Sequence, residues 1–398
     1  MTPRSWSRSR GAAGAARAAL AAATVTVLNT GIAAPATPAR AGPTDGPTAY
    51  QQVKRCISDG RALEPLASAV SPAQRLLGYT QLWALSRGDG VTVAVIDTGV
   101  NPSPAFGTRL VSGGDLVQPA ATRAGAPQPG LDDCDGHGTL VAGIIAATPD
   151  PKTGFAGVAP GARIVSIRQN SEAFAPEGSA SSAEGAGTST TLAQALDLAV
   201  AAGVDVDVVN ISAAHCGPAI TVGDPALTSA VERAVQRDVV VVVAAGNLGS
   251  GGDCSTQNTP GQRPVTGATP SSIPAALTVG SVTTAGAPAD FSLASEWVDV
   301  AAPGERIIST NPHREQTGQV DSVVGAEGVV PIQGTSFSAP YVAGVAALVR
   351  ARFPDLTAEQ VMHRIAVTAD HPAGPGERTI YVGFGTINPR RALTAVLA

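Results

Sequence analysis

The hydrophobic pattern of the chain alternates between short continuous apolar runs and segments with helical spacing. The run Val91–Asp97 is apolar and rich in β-branched residues and ends in an acid, which is typical of a buried parallel strand. Similar runs predict strands at 162–167, 206–210, 239–245, 277–282 and 298–301. Apolar residues at helical spacing predict helices at 137–147, 192–202, 225–237, 336–352 and 357–368. This alternation predicts an α/β fold with a mostly parallel sheet and helices on both faces.

Two stretches interrupt the alternation. Residues 171–189 are rich in Ser, Gly and Ala, which favours a long surface loop. The 311–333 segment has neither helical nor continuous strand character. Both are expected to shape the cleft of the protein.

The first 41 residues have the pattern of an export signal. Arg4, Arg8, Arg10 and Arg17 precede an apolar run at 18–32, and no acidic residue occurs before residue 42. The run is too short and too polar to span a membrane. A small-residue cleavage site ends at Ala41, so we predict a signal peptide at 1–41. The alternative is a disordered Ala-rich tail.

Composition and charge exclude several classes of protein. Only 14% of the 398 residues are charged, which argues against a disordered chain or a coiled coil. The net charge of −5 gives no support for nucleic-acid binding. Removal of the predicted signal takes away five arginines and no acid, so the remaining chain is more acidic still.

Four cysteines are present and none forms a C-x-x-C pair, which argues against a zinc ribbon. An even number in an exported chain indicates two disulfides, and the sequence alone allows three pairings. The four are Cys56, Cys134, Cys216 and Cys254.

Four short motifs carry chemistry, and they are centred on Asp97, His137, Asn247 and Ser336. A serine hydroxyl needs an adjacent base, and a histidine has a pKa near the working pH. A carboxylate then holds the imidazole in the correct tautomer. Asp97 ends a predicted strand, whereas His137 and Ser336 each begin a predicted helix, where unpaired N–H groups can stabilise an oxyanion. Each residue alone is weak evidence, because an acid at a strand end commonly acts as a cap.

Together, in the order Asp–His–Ser, the motifs resemble those of the subtilases, the subtilisin-like serine proteases. The resemblance implies a subtilisin-like three-layer sandwich. It also implies that Asp97 orients, that His137 acts as base and then acid, and that Ser336 is the nucleophile. Asn247 matches the oxyanion-hole asparagine of that family. Ser212, Ala213 and Ala214 match the strand that pairs with an extended substrate.

Flanking residues give a closer resemblance to the mycosins, the subtilases associated with type VII secretion. Leu140 follows His137 by three residues, and Phe337 follows Ser336 directly. The cysteine layout also matches, and it implies the pairs Cys56–Cys134 and Cys216–Cys254. Type VII secretion machinery is therefore an expected partner, together with protein or peptide substrates.

The resemblance also divides the chain. We expect a signal peptide at 1–41, an N-terminal extension at 42–76 and a peptidase domain at 77–398. The extension is short for an independent inhibitory domain, so we expect a wrapped segment fixed by Cys56. Mycosins usually continue into a Pro-rich linker and a transmembrane helix. This sequence stops at Ala398, and we expect no transmembrane anchor in this chain. The two alternatives are a naturally soluble relative, which is favoured, and a chain from which the anchor is missing.

The expected function is limited processing of secreted proteins by an exported serine endopeptidase, extracellular or attached to the cell envelope. The alternatives are a general scavenging protease and a mainly structural component of a secretion complex. No cofactor is expected. Calcium is an alternative, because many subtilases bind it and Asp132, Asp133 and Asp135 cluster before His137. Their spacing is not that of an EF-hand, so a solvated loop is the favoured interpretation.

Overall fold

The structure is a computed structural model. It describes residues 49–57, 70–118, 127–178, 185–201, 205–219, 223–249, 254–313, 316–325, 328–372 and 377–397. The predicted signal peptide lies outside these residues, as does much of the predicted extension at 42–76.

The described residues form fifteen strands and seven α-helices. The strands are β1 (Tyr50–Gln52), β2 (Thr92–Asp97), β3 (Leu110–Asp115), β4 (Arg163–Arg168), β5 (Phe174–Pro176), β6 (Val208–Ile211), β7 (His215–Pro218), β8 (Val240–Ala244), β9 (Thr266–Thr269), β10 (Leu277–Val282), β11 (Val300–Pro303), β12 (Ser309–Thr310), β13 (Gln319–Val320), β14 (Ser322–Gly325) and β15 (Gly328–Pro331). The helices are α1 (Pro72–Leu77), α2 (His137–Ala146), α3 (Ser189–Ala199), α4 (Pro225–Gln236), α5 (Thr335–Arg352), α6 (Ala358–Val367) and α7 (Pro389–Thr394).

Seven strands form the central sheet in the order β11-β10-β8-β6-β2-β4-β3. Every neighbouring pair in it is parallel. All residues of β2, β6, β8 and β10 are buried, as expected for a parallel sheet covered on both faces. The predicted α/β sandwich is confirmed.

Successive side chains of β2 pack against different helices on the two faces of the sheet. Val93 and Val95 belong to a large apolar cluster that includes residues of α2, α5 and α6. Ala94 and Ile96 belong to a second cluster, which includes residues of α3 and α4. Since successive side chains of a strand point to opposite faces, the sheet lies between two helical layers.

Helix α5 is the centre of the first layer. Fifteen of its 18 residues are buried, which is the pattern of a core helix and not of a surface helix. A Cβ atom at Gly344 would lie 2.5 Å from the side chain of Val158, so this close packing requires a glycine. Because Ser336 lies in its first turn, α5 supports the site as well as the core.

Strand β3 was not predicted from the sequence. It lies at the edge of the sheet, is mostly half-buried, and has a shift in register between Ser112 and Gly114. A short strand with two adjacent glycines lacks the continuous apolar run that identifies a buried strand.

The prediction of a surface loop at 171–189 is wrong for its described first part. Strand β5 lies there and pairs with β1 in an antiparallel manner. Ala173 and Phe174 are buried in a small cluster with Cys134 and Val117. The 311–333 segment likewise contains β13, β14 and β15, and the last two form a hairpin.

The described parts of the N-terminal region pack against the body of the protein. Besides the β1–β5 pairing, Ile57 is buried, and its N–H donates to the carbonyl of Cys134 (2.7 Å). The structure contains the disulfides Cys56–Cys134 and Cys216–Cys254, the pairing that the resemblance implies. Within the described ranges, no helix is both long and apolar enough to cross a membrane.

The Cys56–Cys134 disulfide closes a long loop, with a sequence separation of 78 residues. Replacing both residues with serine is expected to lower the free energy of unfolding by about 2–4 kcal/mol, because the unfolded chain gains conformational freedom. Guanidinium denaturation of the oxidised protein and the double variant measures this difference. An unchanged midpoint and slope would show that the disulfide does not stabilise the fold.

Candidate active site

The residues singled out by the motifs converge at one edge of the sheet. Asp97 is the last residue of β2, Ser212 follows β6, and Asn247 lies three residues after β8. His137 is the first residue of α2, and Ser336 is the second of α5. The carboxyl ends of parallel strands meet at a single edge, where α/β folds place their sites.

Asp97 and His137 form a direct hydrogen bond. The imidazole Nδ1 lies 2.7 Å from Oδ1 of Asp97, which also accepts the N–H of Thr98 (2.8 Å). Asp97 is 1% exposed, whereas the side chain of His137 is 31% exposed. A proton on Nδ1 satisfies the carboxylate and leaves Nε2 as the acceptor of the imidazole.

Opposing effects act on the pKa of His137. Burial lowers it, but the charge and hydrogen bond of Asp97, with the charges of Asp133 and Asp135, outweigh burial and raise it above its ordinary value. The negative charges around the imidazole therefore stabilise its protonated form.

The interpretation of Asp132, Asp133 and Asp135 as a solvated loop is wrong. Asp133 is fully buried, and Asp135 accepts hydrogen bonds from the hydroxyl of Ser171 and the N–H groups of Glu172 and Ala173. The donors to Asp135 lie more than 30 residues away along the chain, so the sequence pattern does not reveal them. Asp132 instead approaches the buried guanidinium of Arg168.

The first turn of α5, which bears Ser336, lies next to the imidazole of His137. The ring of Phe337 lies 5.0 Å from that of His137, measured between centroids, with an interplanar angle of 46°. Gly334 caps the helix with φ 141°, a conformation that favours glycine. No hydrogen bond joins the Ser336 hydroxyl to the His137 ring in the part of the chain that the structure describes. Such contacts are often loose without substrate.

Thr335 orients the side chain of Asn247, a role that the motif reasoning missed. The N–H and the hydroxyl of Thr335 both donate to Oδ1 of Asn247, at 2.9 and 3.0 Å. The Thr335 hydroxyl in turn accepts the N–H of Gly246 (3.2 Å). The amide oxygen of Asn247 therefore faces Thr335, which fixes the amide group next to the turn that bears Ser336.

The side chain of Ser212 is directed toward Asn210 and Ser336. Its hydroxyl is buried, donates to the carbonyl of Ser336 (2.7 Å) and accepts a hydrogen bond from Nδ2 of Asn210 (2.9 Å). In a regular helix the residue four positions on would donate to this carbonyl, but that residue is Pro340, which has no N–H. The Ser212 hydroxyl therefore supplies the missing hydrogen bond.

Ala213 and Ala214 continue the chain beyond β6. Ala213 is half-buried and Ala214 is exposed, so this segment borders the site with small side chains. Among the described residues, no group of three or more His, Cys, Asp or Glu side chains has the arrangement of a metal site.

Comparisons with known proteins give consistent matches. The model of the subtilase family, peptidase S8, matches residues 88–385. Mycosin-1 of Mycobacterium tuberculosis is 45% identical over 340 residues, which cover 80% of this chain and 72% of that protein. The structure of the MycP3 protease from the type VII (ESX-3) secretion system superposes with a TM-score of 0.77 at 38% identity, covering 91% of this chain and 100% of that one.

A further match comes from a larger assembly. A chain in the structure of the periplasmic assembly from the ESX-5 inner membrane complex has a TM-score of 0.77 and 36% identity, and the match covers 89% of this chain and 92% of that one.

The pKa of His137 can be measured directly by an NMR titration of its side chain. We expect a value above the ordinary 6.5 in the wild type. Asp97→Asn is expected to lower it, because the largest favourable charge is lost while burial remains. Asp355→Asn serves as the control, since Asp355 is exposed and lies beyond the opposite end of α5. Equal values in wild type and Asp97→Asn would contradict the assigned interaction.

Proposed function

Because this chain belongs to the subtilase family of serine proteases, we propose that Asp97, His137 and Ser336 hydrolyse peptide bonds as its catalytic triad. The observation that carries this assignment is the 2.7 Å hydrogen bond between Asp97 and His137, next to the helix turn that bears Ser336. Their order along the chain and their positions at the carboxyl edge of the sheet support it.

The chemistry follows from these positions. Nε2 of His137 takes the proton of the Ser336 hydroxyl as the serine oxygen attacks the scissile carbonyl. Asp97 holds the imidazole and stabilises the imidazolium that forms. His137 then gives the proton to the leaving amine, which leaves an acyl-enzyme on Ser336. Water repeats the sequence and releases the acid product.

The tetrahedral intermediate carries a negative oxygen, and two groups are assigned to it. The N–H of Ser336 lies in the first turn of α5, where helical N–H groups have no partner within the helix. The amide of Asn247 is the second donor, and its orientation is fixed by Thr335. Loss of one such donor typically lowers turnover by about 10²–10³-fold.

An extended substrate is assigned to the segment 212–214, which it would join as an added strand through main-chain hydrogen bonds. The small side chains of Ala213 and Ala214 leave room for a chain alongside. The buried hydroxyl of Ser212 links this segment to Ser336, so the segment assigned to the substrate also holds the residue assigned as nucleophile.

The cellular role is assigned from the matched relatives. Similarity to mycosin-1, and to chains in ESX-3 and ESX-5 structures, supports work at the cell envelope with type VII secretion machinery. The predicted signal at 1–41 would deliver the chain there. Limited processing of secreted proteins is the activity we assign in that setting.

The N-terminal extension is assigned as a segment that stays attached to the mature protein. The β1–β5 pairing, the buried Ile57 and the Cys56–Cys134 disulfide support this, since each holds part of the extension against the body of the protein.

The nucleophile assignment is tested with a fluorophosphonate probe, which labels activated serines. The wild type is expected to be labelled and to cleave peptides, whereas Ser336→Ala is expected to do neither. Ser338→Ala is a matched control, since this buried hydroxyl has no hydrogen-bond partner among the described residues. An unlabelled wild type, or equal labelling of Ser336→Ala, would refute the assignment.

Cleavage assays with the wild type and Ser336→Ala also distinguish limited processing from general scavenging. Limited cleavage of a few secreted proteins, with casein left largely intact, is the expected result. Rapid and general degradation of casein by the wild type would favour a scavenging protease instead.

The link from Ser212 to Ser336 gives a double-mutant test. Ser212→Ala removes one hydrogen bond and is expected to lower kcat about 3–10-fold. Pro340→Ala adds an N–H that can donate to the Ser336 carbonyl, so the same Ser212 substitution should cost less in that background. Steady-state kinetics of the wild type, both single variants and the double variant measure the coupling. Equal losses in the two backgrounds would contradict it.

A further inference from the structure

Asp133 lies four residues before His137 and is fully buried. Its carboxylate accepts four hydrogen bonds, two at each oxygen. Oδ1 accepts from the hydroxyl of Thr98 and the N–H of Gly136, both at 2.7 Å. Oδ2 accepts from the N–H (2.8 Å) and the hydroxyl (2.6 Å) of Thr139. The acceptor sites of the carboxylate are thus filled.

The direction of these hydrogen bonds is fixed. The Thr98 hydroxyl oxygen accepts the N–H of Gly138, and the Thr139 hydroxyl oxygen accepts the N–H of Asn101, both at 2.9 Å. Each hydroxyl therefore has a donor on its oxygen and directs its own hydrogen at Asp133. The remaining two donors are main-chain N–H groups, so all four need an acceptor, which only an ionised carboxylate supplies.

Two elements of the site meet at this carboxylate. Thr98 directly follows Asp97 at the end of β2, and Gly136 and Thr139 flank His137 at the start of α2. Gly136, as the N-cap, has no side chain to bind the first N–H groups of α2. Asp133 binds two N–H groups there and places a negative charge at the positive end of the helix.

The backbone of Asp133 is held by a second set of hydrogen bonds. The side chain of Asn101 accepts the N–H of Asp133 and donates to its carbonyl, both at 2.9 Å. The same Nδ2 group donates to the carbonyl of Pro312 (2.9 Å). The backbone of Asp133 is therefore held by the segment that follows Asp97, and its side chain holds the start of α2.

We propose that Asp133 is a positioning residue for the reaction, which fixes the distance and angle between Asp97 and His137 through Thr98 and the first turn of α2. This inference rests on the proposed function of the Asp97–His137 pair, and it goes beyond the triad and the oxyanion hole. Burial raises the pKa of Asp133 to about 6, against the hydrogen bonds of Thr139 and Thr98 that lower it. The carboxylate is thus ionised at pH 8, where the test is made.

The test is Asp133→Asn, which keeps the shape and replaces one acceptor oxygen with a donor. At pH 8 we expect kcat to fall on the order of 10–100-fold with KM within about twofold, because substrate binding does not involve Asp133. The NMR resonance of the His137 Nδ1 proton, shared with Asp97, should shift or broaden. A purely structural role would leave that resonance unchanged in the folded fraction.

Asp132→Asn is the matched control. It removes the same charge one residue away, at a side chain that approaches Arg168. We expect kcat within about twofold of the wild type and an unchanged Nδ1 resonance. An equal loss in both variants would assign the effect to charge and overturn the positioning role.

Thr98→Val covers the case in which Asp133→Asn fails to fold, because it removes the Thr98 hydroxyl but leaves the hydrogen bonds from Gly136 and Thr139 to Asp133 in place. A fall in kcat of about 3–10-fold with a shifted Nδ1 resonance is expected. Wild-type kcat and resonance in a folded Asp133→Asn or Thr98→Val would overturn the proposal. The resonance is measured without substrate. A wild type that no fluorophosphonate probe labels would contradict the proposed function, whereas an unchanged resonance in the variants would contradict this inference.

Discussion

The hydrogen bond between Asp97 and His137 joins the end of a central strand to the start of a helix, and the surrounding structure depends on that junction. The two elements approach so closely that a Cβ atom at Gly138 would overlap the carbonyl oxygen of Gly99. Only a glycine allows this approach. Backbone packing therefore sets how closely the end of β2 and the start of α2 approach each other.

The acidic loop 132–135 has one structural role at each of its residues. Asp132 approaches Arg168, Asp133 binds the start of α2, and Cys134 bonds to Cys56. Asp135 binds the chain just before β5, the strand that pairs with β1. The N-terminal region and α2 are thus attached to the same few residues. The charges that hold this loop also act on His137, because Asp133 and Asp135 both raise its pKa.

The sequence identifies features that depend on local pattern. Strands such as β8 and β10 were predicted because an unbroken run of apolar residues is typical of a buried parallel strand. The motif residues reach one edge of the sheet because the carboxyl ends of parallel strands lie at that edge. Features that depend on distant partners were not predicted. Strand β3 lacks the apolar run, and the pairing of Asp133 with Thr98 joins residues 35 positions apart. The acids near His137 lack the spacing of an EF-hand, which indicated a solvated loop. Acidic residues are rarely buried without partners, and distant partners such as Thr98 and Ser171 cannot be seen in the pattern.

The rigidity of α5 explains why so many groups converge on its first turn. The helix is buried on nearly all sides, so Ser336 cannot be adjusted by movement of the helix as a whole. Its position must come from local hydrogen bonds at the helix start, where backbone groups lack partners within the helix. Thr335 provides one such contact through Asn247, and the Ser212 hydroxyl provides another at the carbonyl that Pro340 leaves unpaired. Because Asn247 follows β8 and Ser212 follows β6, the sheet that builds the core also sets Ser336 in place. A substrate laid against the segment after β6 would then meet a serine whose position that same segment helps to define.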